Sequence, residues 1–364
     1  MFRLEPRAAR ARVASLVSPL LALALTALGC AGLFSVLGKD PVQGLQLFFV
    51  QPFASPRALG ELSVKATPLL LMGLGLCVAY RADVWNVGAE GQFILGAICA
   101  GGVALRATPE TGGYIVPLIL LGGTLGGTLW AALVAVSRDR WNASEILVSL
   151  MLVYVAEQLL SYLVQGPWRD PLGYNFPQTA TFAATARIPR LVAGSRAHLG
   201  APLALACVGL FWLLLRRTHT GFRLRVAGLA PAAARYAGFS SRAAVWTACL
   251  VSGGLAGLAG ALEVAGPLGQ LTPYVPLGYG FTAIIVAFVG RLEPIGVVLS
   301  SVLLSMFYIG GELAQSRLGL PKALTSVFQG LLLVALLACD TLIERRLRWL
   351  PTPTPGHEKV GLPG

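Results

Sequence analysis

The stretch Arg81–Gln92, R-A-D-V-W-N-V-G-A-E-G-Q, is polar, punctuated by glycine and set between two long apolar runs. Asp83, Asn86, Glu90 and Gln92 fall close together, and Gly88 and Gly91 let the backbone bend around them. Between soluble elements it would be an ordinary turn. Between membrane spans, irregular polar backbone is tolerated only where it is buried in protein or faces a water-filled path. The reading of this segment therefore depends on what flanks it.

Composition answers that. Of the 364 residues 55% are hydrophobic and 12% charged, about half the charged share of a soluble domain, and mean hydropathy is +0.72. Apolar runs of about 20 residues, the length that crosses a ~30 Å hydrocarbon core, recur along the whole chain. These features predict an all-α polytopic membrane protein. Ten spans are expected, near 16–37, 62–80, 92–105, 114–136, 145–164, 198–215, 244–265, 278–289, 295–310 and 323–339. They make one membrane domain, 16–343, after a short tail, 1–15. The tail 344–364, basic and then Pro-rich, is expected to be disordered. Residues 42–56 are expected to run along the outer surface, and 166–196 to form a long outer loop.

An even number of spans puts both termini on one side. By this layout 18 of the 28 Lys and Arg share that side, which the positive-inside rule makes cytoplasmic. The net charge of +12 follows from the same rule, so nucleic acid is not an expected partner. Arg3, Arg7, Arg10 and Arg12 before an apolar run ending at Gly29-Cys30 imitate a signal peptide. The run continues to Leu37, however, and reads as an uncleaved first helix. Six separate cysteines and three distant histidines make neither a disulfide frame nor a metal set. Gly123/Gly127 and Gly253/Gly257 are G-x-x-x-G pairs suited to close helix packing.

The connection 218–242 is the largest basic one. Pro231 opens a short helix there and Gly238 closes it. It is either a surface amphipathic linker or a docking helix for a cytoplasmic subunit. Glu157 stands twelve residues beyond Glu145, ~18 Å along a helix. It is either a functional intramembrane carboxylate or one held structurally near Gln158 and Ser161.

Asp83–Gln92 followed by Gly96 resembles the F-N-I-G-x-E-G-Q signature of permease subunits of nucleoside ABC importers. These belong to the large family that also serves simple sugars and branched-chain amino acids. Gly221–Gly238, G-F-R-L-R-V-A-G-L-A-P-A-A-A-R-Y-A-G, is similar to that family's coupling segment. Ser144–Leu152, Ser252–Glu263, Gly278–Gly296 and Phe328-Gln329-Gly330 match as well, in the family's order, so the likeness covers most of the chain from residue 60 onward. Trp85 replaces the usual Phe, and Val153 replaces the usual Asn of M-L-N-Y.

The resemblance implies a type II ABC importer permease fold of about ten helices, with two inverted repeats and both termini cytoplasmic, in a bacterial inner membrane. It implies as partners ATP-binding subunits that use ATP-Mg, a second and unlike permease, and an extracytoplasmic substrate-binding lipoprotein. The chain itself is expected to be no enzyme and to bind no cofactor; it has no G-x-x-x-x-G-K-[ST]. Coupling is expected of Gly221, Arg223, Arg225, Gly228, Pro231, Ala233, Ala234, Tyr236 and Gly238. Trp85, Asn86, Gly88, Glu90, Gly91 and Gln92, with Glu157, are expected to line or gate the path of an uncharged polar nucleoside. The other reading of the segment is that it caps helix ends through its own hydrogen bonds. A simple sugar is the alternative solute. An ion-coupled secondary transporter is the alternative class, with Glu157 as its only deep carboxylate.

Overall fold

The structure is a computed structural model that describes residues 2–6, 12–192 and 194–349. Among them are thirteen α-helices. The first half holds α1 (Arg12–Val36), α2 (Pro41–Phe49), α3 (Pro56–Arg81), α4 (Ala89–Ala104), α5 (Ile115–Trp141) and α6 (Glu145–Gln165). Then come α7 (Gly200–Arg217), α8 (His219–Leu229) and α9 (Pro231–Tyr236). The second half holds α10 (Ser241–Glu263), α11 (Tyr279–Val289), α12 (Pro294–Leu318) and α13 (Ala323–Glu344). Eight helices are long and apolar enough to cross a membrane, and α4 and α11 are shorter apolar helices. Together they occupy the positions of the ten expected spans.

Helix α3 is apolar on every side and buried along almost all of its length, which places it at the centre of the bundle. Of the helices packed on it, α10 in turn meets α4 and α5, and these three approach one another closely because they meet through glycine. A Cβ at Gly257 of α10 would stand 2.9 Å from the Cα of Gly127 on α5 and run into Gly123 as well. Side chains at this crossing would push the helices apart, and with them the close dispersion contacts that hold membrane helices together.

The two halves repeat one another. Each has a long helix, a non-helical or irregular link, a short helix and two long helices: α3, 82–88, α4, α5, α6 and α10, 264–278, α11, α12, α13. The first link begins at Arg81, whose Nε donates to Leu292 O at 3.0 Å and whose Nη2 pairs with Glu293 at 2.7 Å, in the α11–α12 turn. The second link exchanges hydrogen bonds with the loop after α6, Thr179 N donating to Leu271 O and Leu271 N to Thr179 Oγ1, both at 3.0 Å. The links thus lie at opposite ends of the bundle, and the repeats are inverted.

Four features differ from the expectation. The connection 42–56 carries α2, whose Phe48 is buried against Phe34, Phe307 and Phe328 rather than lying on the surface. Helix α12 passes Gly310 and stops only at Gly319, where φ is +67°. It continues because Gly310 and Gly311 admit Phe48 and Thr325, while Glu312 is paired with Lys65 at 3.0 Å. The connection 218–242 holds two helices, not one. The tail from 344, expected to be disordered, starts with the end of α13 and a strand, β2 (Arg345–Trp349), antiparallel to β1 (Phe2–Pro6). This pairing brings the two ends of the chain together, and 350–364 lie outside the described residues. In the outer loop His198 is buried, its Nδ1 accepts from Gly200 N at 3.0 Å, and burial pushes its imidazole down to about 4.

Candidate functional site

The segment 82–88 descends from Arg81 into the bundle as extended and turn backbone, and its side chains find partners there. Asn86 and Gln92 form a reciprocal amide pair: Asn86 Nδ2 donates to Gln92 Oε1 at 2.9 Å, and Gln92 Nε2 to Asn86 Oδ1 at 3.1 Å. Asn86 Nδ2 also donates to Ser252 Oγ on α10 at 2.9 Å, and its Oδ1 accepts from Gly88 N at 3.2 Å. Glu90, in the first turn of α4, accepts from Gly278 N at 2.9 Å and from Gly280 N, at the start of α11. Its carboxylate therefore lies between the positive ends of two helices that point at each other. The 11 residues of α11 cover ~16 Å from this point to the cytoplasmic turn, about half of a ~30 Å core. The half-length α11 meets the 16-residue α4 there, N-terminus to N-terminus, and Glu90 joins them.

This arrangement bears on the lining role expected of the segment. Asn86, Glu90 and Gln92 are each 1% exposed, and the hydrogen bonds they make are to protein groups. Gly88 and Gly91 are seats for α6: a Cβ on Gly88 would reach Ser149 O at 2.7 Å, and one on Gly91 would reach Val153 Cα at 3.0 Å. Five of the six expected residues of the segment thus act as a latch joining α4, α6, α10 and α11. Trp85 differs. It is 42% exposed, packs against Tyr80 and Phe288 with centroids at 5.2 and 6.2 Å, and donates from Nε1 to Asp83 Oδ1 at 3.2 Å. Asp83 holds a left-handed backbone conformation, φ 56°, at the bend.

The polar surface that stays open lies on α6. One face of this helix, Ser149, Val153, Ala156, Leu160 and Val164, is buried. The opposite face carries Tyr154, Gln158, Tyr162 and Gln165 at helical spacing, all exposed, with Glu157 and Ser161 half-buried at its flank. Hydroxyls and amides on the outside of an intramembrane helix belong against protein or water, not lipid. Val153, the departure from the M-L-N-Y pattern, is on the buried side against Gly91. It is therefore removed from this face. The spacing 154, 158, 162, 165 was present in the sequence; the apolar residues around it masked it.

The connection expected to act as the coupling segment is built from α8 and α9. Thr218 Oγ1 caps α8 by accepting from Gly221 N at 3.3 Å, and Gly221 is seated on the end of α7. The two helices are tied through Phe239, which meets Phe222 edge-on at 6.1 Å and lies 5.5 Å from the Arg223 guanidinium. Leu224 and Ala234 point inward. Arg223, Arg225, Pro231, Ala233, Tyr236 and Gly238 are exposed, Tyr236 almost completely at 99%. At its far end Gly228 lies against the backbone just ahead of the latch, where a Cβ would collide with Arg81 O and stand 3.1 Å from Asp83 N. The segment 218–242 thus touches the end of α3, from which the chain runs into the latch.

The model of the branched-chain amino acid transport system / permease component family matches residues 58–337. The chain belongs to this permease family. A glucose ABC transporter permease of Haloferax volcanii is 34% identical over 328 residues, 87% of this chain and 86% of that one. A guanosine ABC transporter permease of Bacillus subtilis is 30% identical over 328 residues, 87% and 91% of the two chains. A nucleoside ABC transporter permease of Lactococcus lactis is 25% identical over 317 residues, 85% and 87%. The permease is thus a membrane-embedded transport component of an ABC system, with an ATPase among its partners. Membership in the ABC class answers the ion-coupled alternative raised by Glu157.

Proposed function

We propose that this permease forms one side of the translocation path of an ATP-driven nucleoside importer in a bacterial inner membrane. The observation that carries the reading is the open face of α6. It offers amides, a hydroxyl and two phenols inside the membrane with a single carboxylate, Glu157, at its edge. Such a face suits an uncharged solute rich in hydroxyls and with a flat ring, since it supplies hydrogen bonds and stacking without a strong fixed charge. Trp85 stands at the cytoplasmic mouth of this path, and the latch residues Asn86, Gly88, Glu90, Gly91 and Gln92 position α6 along it. Two permease chains, this one and an unlike homologue, would bring such faces together. An extracytoplasmic lipoprotein delivers the solute, and the ATP-binding subunits hydrolyse ATP-Mg against the exposed face of α8 and α9.

A simple sugar is the second reading, favoured by the 34% identity to the glucose permease of Haloferax volcanii. The test is uptake of radiolabelled guanosine and D-glucose by proteoliposomes that contain the permease with its co-purified partners. ATP-driven uptake of guanosine is expected, with glucose transported more slowly. Glucose alone would replace the nucleoside by the sugar, and uptake driven by an ion gradient without ATP would contradict both.

A further inference from the structure

The two halves of the permease do not close in the same way. In the first, α6 packs along α4; in the second, the equivalent α13 touches α11 over a much shorter stretch. The space left between α11, α12 and α13 is a cavity of about 320 Å³, at the lower end of the size range of small-molecule pockets. Its inner wall is polar and already buried. Thr282 Oγ1 lies 2.9 Å from the Tyr308 hydroxyl and donates to Gln329 Oε1 at 3.2 Å, and Tyr308 is 3.3 Å from Leu277 O. Gln329 is 6% exposed, and its Nε2 has no hydrogen-bond partner among the described residues. An amide buried to this degree normally has its donors satisfied. Phe281, 41% exposed, offers an aromatic face at the lip. The two charged groups at the rim, Lys322 and Glu312, are opposite in sign.

We propose that this cavity is a solute subsite of the path, in which the unpaired amide of Gln329 donates to a hydroxyl or ring acceptor of a neutral, hydroxyl-bearing ring. Phe281 covers the face of that ring, and the Thr282–Tyr308 pair holds the amide in place. Gln329 is on this reading a specificity-determining contact, and the proposal rests on the importer function given above. The cavity has room for one ring at a time. It complements the α6 face, because α6 and α13 occupy equivalent positions in the inverted repeats.

Two variants test it in the reconstituted complex, with guanosine and D-glucose as probes. Gln329→Leu keeps the size and removes the donor. The KM of the preferred probe is expected to rise about three- to tenfold, as for the loss of one buried neutral hydrogen bond, and the guanosine-to-glucose KM ratio to change. A role in packing alone would lower the amount of complex and leave both KM values unchanged. Gly330→Leu fills the cavity from its wall at a position where a Cβ meets nothing within 4 Å. It is expected to abolish uptake while the partners still co-purify, and it decides the matter if Gln329→Leu does not assemble. Wild-type KM values in recovered Gly330→Leu complexes would overturn the proposal, as would an unchanged KM and ratio in Gln329→Leu. If the wild-type complex transports neither probe with ATP, the importer reading fails and the cavity proposal falls with it.

Discussion

At the residue scale the permease separates two kinds of polar group that look alike in sequence. Asn86, Glu90 and Gln92 are buried and bonded to backbone and to one another; Tyr154, Gln158 and Gln165 are open. Each kind fails differently. Glu90→Ala leaves the N–H groups of Gly278 and Gly280 without their acceptor at the junction of α4 and α11. The cost is on the order of 2–4 kcal/mol, read as a lower thermal transition of the purified complex in detergent. A transition unchanged from wild type would show that the junction does not depend on the carboxylate. The importance of the segment was legible in the sequence, since polar residues between spans need a reason. Its partners were not, because Ser252 and Gly278 lie 166 and 188 residues away from Asn86 and Glu90.

At the element scale hydropathy located the ten spans, and even the shortness of α4 and α11 was visible in their sequence. Where local polarity was taken as a boundary, tertiary contacts overrode it. Gly310-Gly311-Glu312 reads as a helix end until Phe48, Thr325 and Lys65 are placed beside it. In the sequence only α9 reads as a helix and α8 is missed, because α8 carries Gly221 and Gly228, residues that lower helix propensity. Both glycines are there for contact rather than flexibility. Gly228 is where α8 touches the end of α3 just ahead of the latch, so a larger side chain would lever α8 away from Arg81 and Asp83. Gly228→Val is expected to leave ATP hydrolysis by the assembled complex running while uptake falls at least about tenfold, in line with the loss of a gating contact rather than of a binding one. Uptake and hydrolysis in the wild-type ratio would mean that motion does not pass through this contact.

At the scale of the whole molecule the inverted halves give a mechanism its parts. The central helix α3 runs from the outer surface to Arg81, the latch begins where it ends, and the coupling segment rests on that point. On the proposed function, movement of α8 and α9 by the ATPase would act on the helix ends that position α6, and through them on its open face. Coupling through a packed, hydrogen-bonded junction with discrete contacts fits how such displacements are carried. The most direct test of the account is whether the open face of α6 meets water in the working transporter. A cysteine introduced as Gln158→Cys, in the complex in its native membrane, would be labelled with a hydrophilic maleimide in the presence and absence of ATP and solute. Labelling at 158 above the wild-type background, slowed by solute and altered by ATP, is the predicted result. No labelling at 158 in any nucleotide state would place the path elsewhere and contradict the account.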